Sequence, residues 1–188
     1  MDDISYAATY AATHSAPVTP AYVGGYAEFV LLDSMLSNYR LLIVGAGTGG
    51  FVRLLKNHRE VVCIDRLPEM IAQATPHPRV SLECADFGAY EGHFDAISVA
   101  GTYGWYEPWT GREWVFEKCR SMLAPNGILI ASYLPPKSAF ERTKEIAFPR
   151  RTVVITRQRF IRMARRSGFE EILGLHRVST VSVLTATP

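Results

Sequence analysis

LLIVGAGTGGFVRLL, residues 41–55, is an aliphatic run broken by four glycines and then resumed. The pattern reads as a strand that ends in a turn and opens a helix, and glycines at such a junction let a ligand touch the main chain. With glycine at 45, 47, 49 and 50 the chain can turn sharply at the strand's carboxyl end. The helix that follows presents free amides and the positive end of its dipole to an anion, a carboxylate or a phosphate. Gly45, Gly47 and Gly50 also satisfy GxGxxG, and Asp65 follows Gly45 by twenty residues, where a dinucleotide fold carries its ribose-binding acid.

Outward from this stretch, β-branched runs at 40–44, 60–64, 80–84, 94–99 and 127–133 read as strands alternating with helical patterns. A helix over 48–56 carries Phe51, Leu54 and Leu55 on one side. Pro68, at a first helical position, starts another through Met70, Ile71 and Ala74. In TGRE, residues 110–113, the threonine hydroxyl and the glutamate predict a capping box. Val115, Phe116, Cys119, Met122 and Leu123 form the apolar stripe behind it, and APNG at 124–127 stops the helix. Steady alternation predicts an α/β fold, a mostly parallel sheet with right-handed crossovers and helices on both faces. The tail departs from this. After a helix over 156–167, stopped at Gly168, the runs 169–177 and 179–187 are joined too closely for a crossover and predict an antiparallel hairpin. Residues 20–36 read as a helix, and 1–19 carry aromatic residues without a clean period.

At 188 residues, with ordinary apolar and charged fractions, the chain suits a single domain over 1–188 and excludes collagen-like, disordered and disulfide-stapled classes. Its apolar stretches fall short of the roughly 20 residues of a membrane span. The acidic start MDDISY lacks a signal peptide's basic region, so a cytoplasmic location is expected. Cys63, Cys84 and Cys119 stand singly in apolar segments and are expected as buried, reduced thiols. The net charge of +2 is uneven, with 8 arginines against 2 glutamates from Phe148 onward. Such a tail either attracts an anionic substrate or carrier or is the solvated face of a helix.

On the glycine loop and Asp65 alone, an adenosine dinucleotide and S-adenosylmethionine fit equally. The stretches LLIVGAGTGG, VVCIDRLPEMIAQA, LECADFGAY, FDAISVAGTYGWY and LAPNGILIASY, however, resemble in order and spacing the successive motifs of class I S-adenosylmethionine-dependent methyltransferases across 38–134. The resemblance implies a Rossmann-like, doubly wound fold with a seven-stranded, mostly parallel sheet in the order 3-2-1-4-5-7-6, its last strand antiparallel. The segments would be an N-terminal lid and helix over 1–37, the cofactor core over 38–134, a substrate cover over 135–155 and a C-terminal helix and hairpin over 156–188. The implied cofactor is S-adenosylmethionine. Gly45, Ala46 and Gly47 would line its methionine part, Asp65 would bind the ribose hydroxyls, and Arg66 and Met70 would flank the adenine. Asp86 would accept from the adenine amino group, Phe87 would present its backbone amide, Ala100 would offer a carbonyl, and Tyr10 would sit in the lid. One departure from the family stands in β-strand sequence: Ile43 occupies the position, two residues before the first glycine, where relatives usually carry an acid that helps hold the cofactor's ammonium end.

Methyl transfer asks a protein chiefly to hold nucleophile and methyl in line, and a general base is needed only where the nucleophile keeps its proton. His14, which follows Tyr6 and Tyr10 in the lid segment, is the candidate base; His58, His77, His93 and His176 fall in turns or the last hairpin and read as surface or structural. Tyr103 and Tyr106 in GTYGWYEPW follow the fourth strand, where a substrate would sit, and would stack on a planar or cationic group or else pack the loop onto the next helix. The insertion KSAFERTKEIAFPRR is of a size to cover a small molecule. No nucleophile elbow or metal-ligand cluster is visible.

Three function classes follow: a methyltransferase acting on O, N or C of a small metabolite; an enzyme using the same cofactor for cyclisation or rearrangement; and a degenerate domain binding a partner or RNA through the arginines of 150–166. Those arginines are not interleaved with aromatic residues, which argues against nucleic acid. A nicotinamide or flavin oxidoreductase is an outside reading. Monomer and homodimer are both open.

Overall fold

The structure, a computed structural model of the chain, describes residues 33, 37–49, 52, 55–74, 76–99, 112–133, 155–175 and 181–187. These form strands β1 (Arg40–Val44), β2 (Glu60–Asp65), β3 (Val80–Cys84), β4 (Phe94–Ser98), β5 (Leu123–Ser132), β6 (Phe169–Leu175) and β7 (Val181–Ala186). The helices are α1 (Pro68–Ala72), α2 (Glu113–Met122) and α3 (Arg157–Arg166). The sheet has the order β3-β2-β1-β4-β5-β7-β6. β1 and β2, β2 and β3, and β4 and β5 pair in parallel; β7 is antiparallel to both β5 and β6. This is the order and the hairpin expected from the sequence. The chain divides into two compact units, 1–91 and 92–188.

In the first unit, β1 and β2 bury nearly every side chain, as continuous aliphatic runs do in a parallel sheet covered on both faces. Ile43, in register with Cys63, is 2 % exposed and belongs to this core. Cys84 corrects the expectation of three buried thiols. Cys63 and Cys119 are buried, and Cys84, the last residue of the strand that ends the sheet, is exposed. Burial pushes the Cys63 thiol up to about 12 and raises that of Cys119 as well. After the glycines, Val52 N donates to Gly49 O and Leu55 N to Val52 O, both at 3.0 Å. These are three-residue bonds, tighter than those of the α-helix expected over 48–56; Phe51 and Leu54 lie outside the described residues. Asp33, the one described residue of the helix expected over 20–36, is buried and accepts from Lys56 N, Asn57 N and Asn57 Nδ2. His58 Nδ1 lies 3.3 Å from Asp33 Oδ1, which gives this histidine the structural role expected of it.

The second unit is held by aromatic rings. Phe116 of α2 meets Phe160 of α3 edge-on at 5.5 Å, Phe160 lies 5.1 Å from Tyr133, and Phe169 at the start of β6 is 6.2 Å from Phe116. Helix α3 starts where its cap predicts, with Thr156 Oγ1 accepting from Arg159 N at 3.2 Å, and stops before Gly168 at φ 79°. Helix α2 starts later than the capping box requires. Arg112 is extended and makes no side-chain cap, so Glu113 is the first helical residue and its carboxylate accepts from Arg166 Nη1 instead; Thr110 lies outside the described residues. The turn expected at 124–127 is an irregularity within β5: Leu123 pairs with Phe94, Ile128 with Ala96, and Asn126 takes φ 59° between them.

Candidate functional site

The carboxyl ends of β1, β2 and β3 are laced together by main-chain hydrogen bonds, all within the first unit. Gly45 N and Ala46 N both donate to Ile64 O, at 2.9 and 3.1 Å, and tie the glycine loop to the end of β2. One residue on, Asp65 O accepts from Ala85 N at 3.0 Å and ties β2 to the segment after β3. Gly45, Gly47 and Gly49 have φ of 69°, 56° and 66°, the left-handed region that L side chains avoid, so the glycines of this loop answer to the path of the backbone. Gly45 is exposed, and Ala46 and Gly47 beside it are buried.

Asp65 is the centre of the arrangement. Its Oδ2 accepts from Gly47 N at 2.9 Å and its Oδ1 from Leu67 N at 3.0 Å, so both oxygens are fixed by main-chain amides. Burial pushes the Asp65 carboxyl above its usual range, more than the amides of Leu67, Gly47 and Arg66 and the Arg66 charge pull it back. Met70, on the buried side of α1, is in the core, whereas Arg66 is exposed. Pro68 opens α1 as expected, but the helix ends at Ala72, short of Ala74.

After β3, Asp86 is exposed and its Oδ1 accepts from Gly88 N at 2.7 Å, a turn that leaves Oδ2 for another donor. Phe87 is 2 % exposed and anchors that turn in the core. Tyr90 OH donates to Glu83 Oε2 at 3.0 Å and closes the loop back on β3; burial and this carboxylate push the phenol up to about 12. The structure thus brings Gly45, Ala46, Gly47, Asp65, Arg66, Met70, Asp86 and Phe87 to adjoining strand ends and turns. Tyr10, His14, Ala100, Tyr103 and Tyr106 lie outside the described residues, as does the insertion over 137–151. Leu67, whose amide fixes Asp65, was not singled out from the sequence; its only signal there is its place two residues after the acid.

The segment 41–127, which contains this loop and both acids, matches a family model described as a methyltransferase domain. Over that segment, a little under half of its length, the chain is similar to methyltransferase domains, and its strand order is the one that the resemblance to class I S-adenosylmethionine-dependent methyltransferases implies. Solved methyltransferase structures share the fold. Magnesium protoporphyrin IX methyltransferase from Synechocystis PCC 6803, with bound SAH, superposes with a TM-score of 0.66 at 15 % identity over 88 % of this chain and 81 % of its own. N-methyltransferase NodS from Bradyrhizobium japonicum gives 0.67 at 16 % identity over 92 % and 100 %. A complex between the Haloferax volcanii Trm112 methyltransferase activator and a protein assigned as a methyltransferase gives 0.71 at 12 % identity over 98 % and 95 %. No curated protein sequence matches the chain. The buried Ile43 fills the strand position where the resemblance leads one to expect an acid. Among the described residues no group of three or more metal-ligating side chains is assembled, and no helix is long and apolar enough to cross a membrane.

Proposed function

We propose that the chain binds S-adenosylmethionine across the ends of β1, β2 and β3 and transfers its methyl group to an oxygen, nitrogen or carbon atom of a small molecule. The observation that carries the reading is the Asp65 carboxylate, with each of its two oxygens held by a main-chain amide at the end of β2. Two oxygens presented in this way suit the two donors of a ribose diol. The exposed main chain at Gly45 suits the cofactor's amino-acid end, with Ala46 and Gly47 lining the same part. Asp86 suits the adenine amino group, with Phe87 supplying its backbone amide and Arg66 and Met70 flanking the ring. Tyr10 and Ala100 complete the cofactor set in this reading. Bound there, the cofactor supplies a methyl group already activated as a sulfonium. The protein's share is alignment, a contribution of about 7–11 kcal/mol where it is complete. Tyr103 and Tyr106 are the proposed substrate-facing groups and His14 the proposed base, for substrates that enter protonated. The whole of 1–188 acts as one cytoplasmic enzyme, monomeric or homodimeric, in this proposal.

Calorimetric titration tests it. A hydrogen bond to a charged group is worth about 1.5–3 kcal/mol, so Asp65→Ala is expected to weaken S-adenosylmethionine binding by at least tens of fold. Unchanged affinity would remove the assignment. The buried Ile43 favours one second reading, that the cofactor sits differently and serves a cyclisation or rearrangement. Mass spectrometry of the spent cofactor separates the two: S-adenosylhomocysteine marks methyl transfer, and any other thioether marks the alternative.

A further inference from the structure

Asp86 stands one residue beyond the last bond of the β2–β3 ladder, Ala85 N to Asp65 O at 3.0 Å, so its place is set by a turn and not by a strand. Two main-chain bonds close that turn, Ala89 N to Asp86 O at 3.2 Å and Tyr90 N to Phe87 O at 3.3 Å. Both lie at the long end of the hydrogen-bond range, and Gly88 and Ala89 between them are exposed. Phe87 pins the middle of the turn in the core. One anchor leaves a turn free to pivot about it, and the exposed Asp86 would swing with that motion.

Tyr90 supplies a second anchor. Its hydroxyl reaches back to β3 and donates to Glu83 Oε2 at 3.0 Å, while Ser81 Oγ donates to Glu83 Oε1 at 3.3 Å, so the accepting carboxylate is itself braced. Burial and then this carboxylate push the phenol up to about 12, so the hydroxyl keeps the proton that it donates. A hydrogen bond to an ionised acceptor is stronger than one between neutral groups. Packing alone does not call for it, since a phenylalanine ring would fill the same half-buried place. What the hydroxyl adds is direction. Its bond joins a residue before Asp86 to one after it, seven apart in sequence, and encloses the acid in a closed ring of chain.

We infer that Tyr90 is a positioning residue: its hydrogen bond to Glu83 holds the turn so that Asp86 meets the adenine amino group, and it thereby sets the preference of the site for adenine. This rests on the proposed S-adenosylmethionine site. Calorimetric titration of the full chain is read with S-adenosylhomocysteine and with the same compound carrying hydrogen in place of the adenine amino group. A hydrogen bond to a charged acceptor bounds the wild-type preference between the two at about 10- to 150-fold. Tyr90→Phe, which keeps the ring, is expected to shrink that preference about 3- to 10-fold, by weakening the first ligand and leaving the second unchanged. A merely structural role would weaken both alike. Glu83→Ala should act as Tyr90→Phe does, and the double variant no more than either alone, as for two ends of one bond. Glu83→Gln keeps an acceptor oxygen and should restore most of the preference. Thermal melting of each variant checks that the fold is kept. The inference is overturned, with the cofactor site left standing, if the wild type binds the two ligands equally, if Tyr90→Phe leaves the preference intact, or if both ligands weaken equally. A wild type that binds neither ligand removes the cofactor site and the inference together.

Discussion

The ends of β1, β2 and β3 and the α2–α3 face are built by opposite means. At the strand ends the groups that matter are main-chain amides and two carboxylates, and each is fixed by another backbone atom: Gly47 N and Leu67 N on Asp65, Gly88 N on Asp86, Ile64 O under the glycine loop. On the α2–α3 face they are long arginine side chains on an otherwise regular helix, most of them unpaired among the described residues. A surface made of backbone is specific in shape and changes only when the path of the chain changes. A surface made of arginines keeps its fold under substitution and changes in charge.

The packing beneath each region is the largest lever on this difference. Phe160 is fully buried against Phe116 and Tyr133, and Phe160→Ala removes both ring contacts. Urea denaturation is expected to show a loss of about 3–5 kcal/mol. A loss under about 1 kcal/mol would mean that the second unit does not rest on its aromatic cluster.

Glycine substitutions separate the two regions more finely. At Gly127 an added Cβ would stand 2.8 Å from the Ala124 carbonyl oxygen and 3.0 Å from Leu123 Cδ2, so Gly127→Ala forces the irregular turn of β5 to move; about 1–3 kcal/mol is expected. At Gly49 the nearest atoms stand at 3.5 and 3.9 Å, ordinary contact, and the whole cost comes from φ 66°. Gly49→Ala is expected to cost about 1–2 kcal/mol. It should also weaken S-adenosylmethionine binding, because the strained residue belongs to the loop itself. If Gly49→Ala binds the cofactor as the wild type does, the loop's backbone path is not what the ligand reads.

The first region was legible in the sequence for the same reason that it is rigid. A backbone conformation that only glycine adopts leaves glycines at fixed positions, and the strands at 40–44 and 80–84 and the acid at 65 fall where hydrophobic pattern and spacing put them. Thr156 and Gly168 likewise marked the ends of α3 because cap and stop are local chemistry. What escaped depends on contacts distant in sequence. Cys84 is exposed at the end of β3, and no single strand records that β3 ends the sheet. Glu113 was expected to cap its own helix and instead meets Arg166, 53 residues away. Trp114 of α2 lines one groove with Arg159, Arg162 and Arg166 of α3, a meeting that the linear order of the chain does not record. Its one linear trace is that it breaks the apolar stripe of α2.

The smallest expected effect is on pH, and it falls on the residue that both the sequence and the geometry put at the centre. Burial raises the Asp65 carboxyl above 3.8, its value in the unfolded chain, so the folded protein holds this proton more tightly than the unfolded one does. The contribution to stability is therefore full below 3.8 and is lost as pH rises through the higher folded value. Relative to Asp65→Asn, which does not titrate, the wild type should lose stability in urea across that window. A ribose diol donating to the ionised carboxylate acts in the opposite sense, since hydrogen bonds to the charged form lower the pKa. S-adenosylmethionine should then bind more tightly as pH rises through the same window, releasing a proton that calorimetry in buffers of different ionisation enthalpy detects. Binding that weakens with rising pH there, or takes up a proton, would mean that the cofactor does not meet Asp65 in its charged form.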